Sequence, residues 1–494
     1  MTTRMKPGIK PGITPGITPG ITPGIIATLA AAILLSACAT SGNAKPKTAA
    51  NAPARSGPGM GKGYNHDPFP STYKAYPGKP TLITNVTIFD GEGGKIERGS
   101  ALFADGKIVE VGQTIAAPAG AVIIDGTGKT LTPGVIDIHS HLGNYPSPGV
   151  DANSDGNEAT SPVTADVWAE HSVWPQDPGF SRALANGGVT TLQILPGSAN
   201  LFGGRSVVLK NVYASTPQGM KFPGAPYGLK MACGENPKRV YGGKGRQPST
   251  RMGNIAVDRQ TWARAAEYKR RWDKYEADGG EPPARDIGMD TLRGVLAGEI
   301  LVQNHCYRAD EMALVMDMAK EFGYRVSAFH HAVEAYKIGD LLKANSTCAA
   351  VWADWWGFKM ESYDAISENL PLLHKAGACA MIHSDDANGI QRLNQEVAKA
   401  LAAGRRAGID ISDATAWTWL TSGPAKALGI FDKTGSLKPG KMADVVLWNG
   451  NPFSVYTRPD MVWIDGALLY DSHDPRLRPV SDFELGQPGS GDVK

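Results

Sequence analysis

The chain has 494 residues, of which 42% are hydrophobic and 20% charged, and its formal net charge is +2. That length supplies one large barrel-sized domain plus a smaller companion. The near-balanced charge excludes the strong basic field that would by itself draw in nucleic acid or an anionic membrane, so no nucleic-acid partner is expected.

Arg4, Lys6 and Lys10 precede a mostly apolar run from Ile25 to Ala37 and the step Leu35-Ser36-Ala37-Cys38. This is the layout of a secretory signal with a small-residue cleavage site, and the run is short against the roughly 20 apolar residues that cross a bilayer. The four-residue step resembles a bacterial lipobox. The resemblance implies lipidation of Cys38 as the mature N-terminus and a membrane anchor in the cell envelope; with Ala39 rather than Asp next, it implies the outer membrane. Five Pro-Gly-Ile units from Pro7 to Ile25 interrupt the signal; a proline in each denies the stretch both helix and sheet pairing, and nothing in it points to a function. The four later cysteines, Cys233, Cys306, Cys348 and Cys379, contain no C-x-x-C pair and read as buried small residues. Export would allow disulfides, which the sequence does not pair.

From Thr40 to Tyr76 the chain is rich in Gly, Pro, Ala, Ser and Lys, which reads as a flexible tether ending in a wrapped segment. LITNVTIFD, SALFADGKIVEVG and AVIIDG then alternate apolar and polar residues between Asp-Gly and Gly-rich turns, the pattern of hairpins. Beyond Pro133, eight apolar runs alternate with helical stretches: GVIDIH, VTTLQIL, SVVLK, GLKMACG, ILVQNH, RVSAFHH, CAAVWAD and ACAMIHSD. Eight such strands predict an α/β fold built on a (β/α)8 barrel of parallel strands. The charged stretch RQTWARAAEYKRRWDKYEADGG reads as an inserted solvent-facing helix, and GSLKPGKMADVVLWNG with VWIDGALLYD returns to hairpins. The expected organisation is a signal peptide over 1–37, a tether over 38–79, a β-sandwich from 80–130 and 435–475, and between them a barrel over 131–434 with a helical insertion at about 245–290.

Asp137, His139 and His141 stand where GVIDIHSHLG runs from apolar into polar residues. Residues two apart on a strand face the same way, so His139 and His141 reach one metal ion from the strand's carboxyl end. A bare H-x-H pair is common in satisfied cores. This one is followed at barrel-like intervals by His305 ending ILVQNH, His331 ending RVSAFHH and Asp385 ending AMIHSD, each at a strand's carboxyl end. Four imidazoles and a carboxylate suit zinc or a similar divalent ion. Such an ion lowers the pKa of bound water from near 15.7 to about 7, and a carboxylate beside it such as Asp385 can take the proton.

With LTPGVIDIHSH, GVTT at 188–191, the Ser384-Asp385 step, GSLKPGKMADVVLW and VWIDG, the chain from about 80 to 470 resembles the amidohydrolase superfamily, in particular its imidazolonepropionase-related group. The resemblance implies that His139, His141, His305, His331 and Asp385 hold one or two divalent ions. Binuclear relatives need an anionic bridge, commonly a carboxylated lysine and sometimes a glutamate. Lys230, in a pattern like K-x-A-x-x-acid of isoaspartyl dipeptidases, is favoured, with Glu235, resembling the glutamate of N-acetylglucosamine-6-phosphate deacetylases, as the alternative.

Arg205 in LFGGRS, and Tyr307 with Arg308 directly after His305, are candidates to bind substrate, the arginines by clamping a carboxylate. Trp355 in VWADWWGFK is a candidate apolar wall, and His330 and His383 suit hydrogen-bonded supporting roles. The expectation is an exported, metal-dependent hydrolase of amide, cyclic amide, short-peptide or N-acyl amino acid C–N bonds. The alternatives are a deaminase acting on a heterocycle and a non-catalytic lipoprotein binding module; oligomeric state is not legible.

Overall fold

In the computed structural model of the chain, the described residues are 67–477; Cys38 lies outside them. Strands β1 (Thr81–Phe89), β2 (Lys95–Ala104) and β3 (Lys107–Gly112) form successive antiparallel hairpins. Their alternation sends Ile83, Phe103 and Ile108 into one core, and the β2–β3 turn uses Asp105 and Gly106 at φ 50° and 75°, the positive-φ geometry that Asp-Gly supplies. β4 (Val122–Asp125) and β5 (Thr130–Pro133) lie parallel to successive halves of β1.

The eight apolar runs all form strands: β6 (Val135–Ser140), β7 (Val189–Ile194), β8 (Phe202–Lys210), β9 (Gly228–Ala232), β10 (Leu301–Cys306), β11 (Val326–His331), β12 (Cys348–Val351) and β13 (Ala380–Ile382). They pair in sequence order as one eight-stranded, barrel-like sheet. Asp385 N donates to His139 O at 2.9 Å, and Ser384 donates from both N and Oγ to the Asp137 carboxylate, drawing the last strand onto the first. The sheet is nearly closed.

One strand departs from the expected parallel order: β8 runs antiparallel to both β7 and β9. Residues 195–201 alone connect β7 to β8, far short of the dozen or more residues a parallel crossover needs. The chain must turn back as a hairpin.

Helices fill most other connections, and their ends are written in the sequence. Pro178–Gly187 starts on Asp177, whose side chain accepts from Gly179 N, and stops at Gly188 with φ 62°. The charged helix Arg251–Asp278 is more than a solvated insertion: Asp258, Trp262, Ala265, Tyr268 and Trp272 are buried along one face. Their spacing of three to four residues makes a stripe that packs on the barrel in the β9–β10 crossover.

β14 (Val445–Trp448), β15 (Pro459–Ile464) and β16 (Ala467–Asp471) return to the first strands, β14 pairing antiparallel with β5. Where two facing layers of a β-sandwich were expected, the hydrogen bonding gives a single sheet in the order β16-β15-β14-β5-β1-β2-β3, with β4 beside β1. Lys210 of β8 clasps this sheet to the barrel, its Nζ 3.1 Å from Asp444 Oδ1 and 2.8 Å from Asp465 Oδ2. The segment before β1 straps the same region, with Tyr73 Oη donating to Asp465 at 2.6 Å. Among the described residues no helix is long and apolar enough to cross a membrane.

Candidate metal centre

The carboxyl ends of β6, β9, β10, β11 and β13 bring their polar residues to one point. His139 Nε2 lies 3.3 Å from His141 Nε2, 3.2 Å from Asp385 Oδ1 and 3.3 Å from Lys230 Nζ. His141 Nε2 lies 3.1 Å from the same Asp385 oxygen, and His331 Nδ1 lies 3.9 Å from Asp385 Oδ2. His305 completes the ring of imidazoles, its centroid 4.5 Å from that of His331.

His383, expected in a supporting role, lies within this cluster. Donor atoms of His139, His331 and His383 lie within 4.8 Å of one another, as do those of His139, His141 and Asp385. Its ring stacks on His139 at 5.1 Å and accepts from His331 N at 3.3 Å. Two candidate ligands, His331 and Asp385, hold φ of 68° and 61°. These left-handed conformations are uncommon for residues other than glycine and are concentrated at functional sites.

Buried Nδ1 atoms of His305, His331 and His383 have no hydrogen-bond partner among the described residues. Burial holds the pKa values of His139, His305, His330 and His331 well below 6.5 and that of His383 at about 3, so these imidazoles are neutral, the form that ligates metal. Burial alone would raise Asp385, but the charge that His331, His141 and His383 would carry once protonated outweighs it and keeps the carboxyl well below its usual range, so it is ionised where the imidazoles are neutral. Neutral nitrogens around an ionised carboxylate fit zinc or another borderline divalent ion.

The two candidate bridges part company. Lys230 is fully buried against His139, and burial pushes its pKa down to about 8. Glu235 instead opens the helix Glu235–Gly242, its carboxylate 3.8 Å from Lys359 Nζ. Of the two, Lys230 is the one that touches the imidazole cluster, its Nζ 3.3 Å from His139 Nε2.

Neither arginine reaches the mouth. Arg205 is 1% exposed, its guanidinium 3.9 Å over the Trp168 ring and its Nε donating to Thr291. The neighbouring glycine admits backbone rather than an anion, since a Cβ on Gly204 would stand 2.2 Å from Val167 O. Arg308 is a surface residue forked onto Asp310 at 2.9 and 3.2 Å. Tyr307 does join the site: buried, it stacks on His331 with centroids 5.2 Å apart. Trp355 and Trp352 line a cavity of about 200 Å³ that borders His383 and Ser384.

One further residue of the site carried only a faint signal in the sequence. Lys359 of the loop after β12 lies among Asn236, Glu235 and Tyr307, and only its place after a barrel strand marked it. The cysteines form two disulfides, Cys233–Cys306 and Cys348–Cys379.

A family model described as "Amidohydrolase family" matches residues 357–469. An amidohydrolase of known structure from Thermotoga maritima MSB8 is 36% identical with a TM-score of 0.73, over 79% of this chain and 100% of that one. The chain is 32% identical over 432 residues to amidohydrolase tasK of Hapsidospora irregularis, covering 80% of this chain and 43% of that protein. It is 25% identical over 396 residues to imidazolonepropionase of Mesorhizobium japonicum, covering 74% and 90%. The chain belongs to the amidohydrolase family. It spans less than half the length of tasK.

Proposed function

We propose that this protein is a metal-dependent hydrolase of an amide, cyclic amide, short-peptide or N-acyl amino acid bond, built on a (β/α)8-type barrel with one reversed strand. The observation that carries the reading is the meeting of His139 and His141 from the end of β6, His331 from the end of β11 and Asp385 from beyond β13, with Lys230 of β9 against His139. His139, His141, His305, His331 and Asp385 would hold one or two ions, with Lys230 between them and His383 supporting them. Bound there, zinc or a similar ion supplies a nucleophilic water at neutral pH and polarises the scissile carbonyl.

The chain's own groups do the rest. Asp385, held ionised beside His139 and His141, takes the proton of the attacking water and delivers it to the departing nitrogen. Leu195 O, 2.8 Å from His141 Nδ1, fixes that ring with Nε2 toward Asp385. Lipidation of Cys38 would tether the enzyme in the cell envelope, with substrate reached outside the cytoplasm.

The test is metal content by mass spectrometry alongside turnover of amide and heterocyclic-amine panels. Wild type should carry at least one ion, and Asp385→Asn should fold and lose turnover. Equal turnover in Asp385→Asn would remove the proposed proton transfer, and ammonia as the product from a heterocycle would replace amide cleavage by deamination.

A further inference from the structure

We propose that Lys359 recognises a substrate carboxylate, which makes the substrate an N-acyl amino acid or a peptide cleaved at its C-terminal bond. This rests on the reading of the site as a C–N hydrolase and names the substrate class for it.

Lys359 lies on the loop between β12 and the helix Asn369–Ala376, yet its ammonium meets the far rim of the barrel mouth, beyond β9 and β10. Nζ lies 3.2 Å from Asn236 Oδ1 and 3.9 Å from the centroid of the Tyr307 ring. Both neighbours touch candidate ligands: Asn236 Nδ2 is 3.5 Å from His305 Nε2, and Tyr307 stacks on His331. One residue therefore separates this cation from the metal cluster on each side.

The side chain is only 16% exposed, and among the described residues the carboxylate oxygens paired with it are Glu235 Oε1 at 3.8 Å and Glu361 Oε2 at 4.0 Å. Glu361 is already engaged by Arg251. An ammonium carries three donors, and a largely desolvated one with its carboxylates at this distance leaves donor capacity that a substrate carboxylate satisfies. The two arginines that sequence offered for the task are engaged elsewhere, by Trp168 and Asp310. Trp355, on the same loop, supplies an apolar wall to the cavity beside His383, so one loop presents both a cation and an apolar surface to the mouth.

The experiment measures kcat and KM of the full, metal-loaded chain for a panel of N-acetyl-L-amino acids and for each matching C-terminal carboxamide. Wild type is expected to show a KM about 10- to 100-fold lower for the acids, the weight of one charge-assisted hydrogen bond. Lys359→Met should erase that preference with little change in kcat, and Lys359→Arg should restore most of it. Equal losses on acids and carboxamides in a folded Lys359→Met protein, or no acid preference in wild type, would overturn the assignment; the wild-type ratio decides even if the variant fails to fold. Metal-loaded protein that turns over other amides or cyclic amides but neither of these series would overturn this inference alone; one that hydrolyses no amide of any kind would overturn the underlying reading and this inference with it.

Discussion

His330 Nδ1 lies 2.9 Å from His139 Nδ1, and the opposite nitrogen of His330 lies 2.8 Å from Gln303 Oε1. Gln303 Oε1 can only accept, so His330 Nε2 carries the hydrogen, and its bare Nδ1 accepts from His139 Nδ1–H. His139 is left with a lone pair on Nε2, the atom that faces His141, Asp385 and Lys230. A two-step relay from a buried amide thus selects the ligating tautomer. His330→Phe should weaken metal affinity about 10- to 100-fold, measured by competition with a chelator, while the apo protein keeps its fold. Unchanged affinity would mean that His139 needs no orienting partner.

Lys230 sets a pH dependence. Burial lowers its folded pKa from 10.5 to about 8, so between these values the native state binds fewer protons than the unfolded chain. Stability of the metal-free protein should therefore rise with pH across that window by roughly 3 kcal/mol at most, with the penalty on the buried ammonium fully present below it. Denaturant unfolding at pH 8 and pH 10 should show the rise in wild type and lose it in Lys230→Met. A neutral amine is also the form that captures carbon dioxide, so reconstitution with metal should be poorer in carbonate-free buffer and recover on adding bicarbonate.

The two disulfides should differ in what they protect. Cys233–Cys306 joins the carboxyl ends of β9 and β10, and Cys233 N donates to His305 O at 2.8 Å. Cys348–Cys379 instead joins the starts of β12 and β13, at the other end of the barrel. Replacing either pair with serine should cost about 2–4 kcal/mol in unfolding. Only Cys233→Ser with Cys306→Ser should also lower bound metal, because only that pair fixes the strand ends bearing Lys230 and His305. Equal metal content in the two double variants would reduce both bonds to generic staples.

Lipid attachment at Cys38 is tested by expressing the full chain in a bacterial host with labelled palmitate. Label should follow the wild type into the membrane fraction and be absent from Cys38→Ala. Wild-type protein recovered unlabelled in a soluble fraction would remove the anchor.

The strands and most of the cluster were legible because a run of buried apolar residues ending in His or Asp is a local pattern, complete within each strand. Direction was not: SVVLK reads the same whichever way it runs, and only the short 195–201 connection forces β8 to turn back. Arg205 misled because glycines beside a cation signal close approach without naming what approaches; at Gly204 it is Val167 O. In Arg251–Asp278 the many charges masked a buried stripe that a count at helical spacing reveals. The disulfides needed register. Ala232 pairs with His305, which sets Cys233 beside Cys306, and no sequence spacing carries that information.

The reversed β8 also divides the mouth into a side that evolution can remodel and a side that it cannot. On a barrel of this kind, new specificities arise by lengthening the loops after the strands. Here the β7–β8 hairpin bounds one arc of the rim with residues 195–201, and Leu195 within it holds His141 in place. Insertions there would be read out as lost metal, whereas the stretch after β12, which carries Trp355 and Lys359, bears no candidate ligand. Libraries meant to change what this scaffold accepts belong on that second arc.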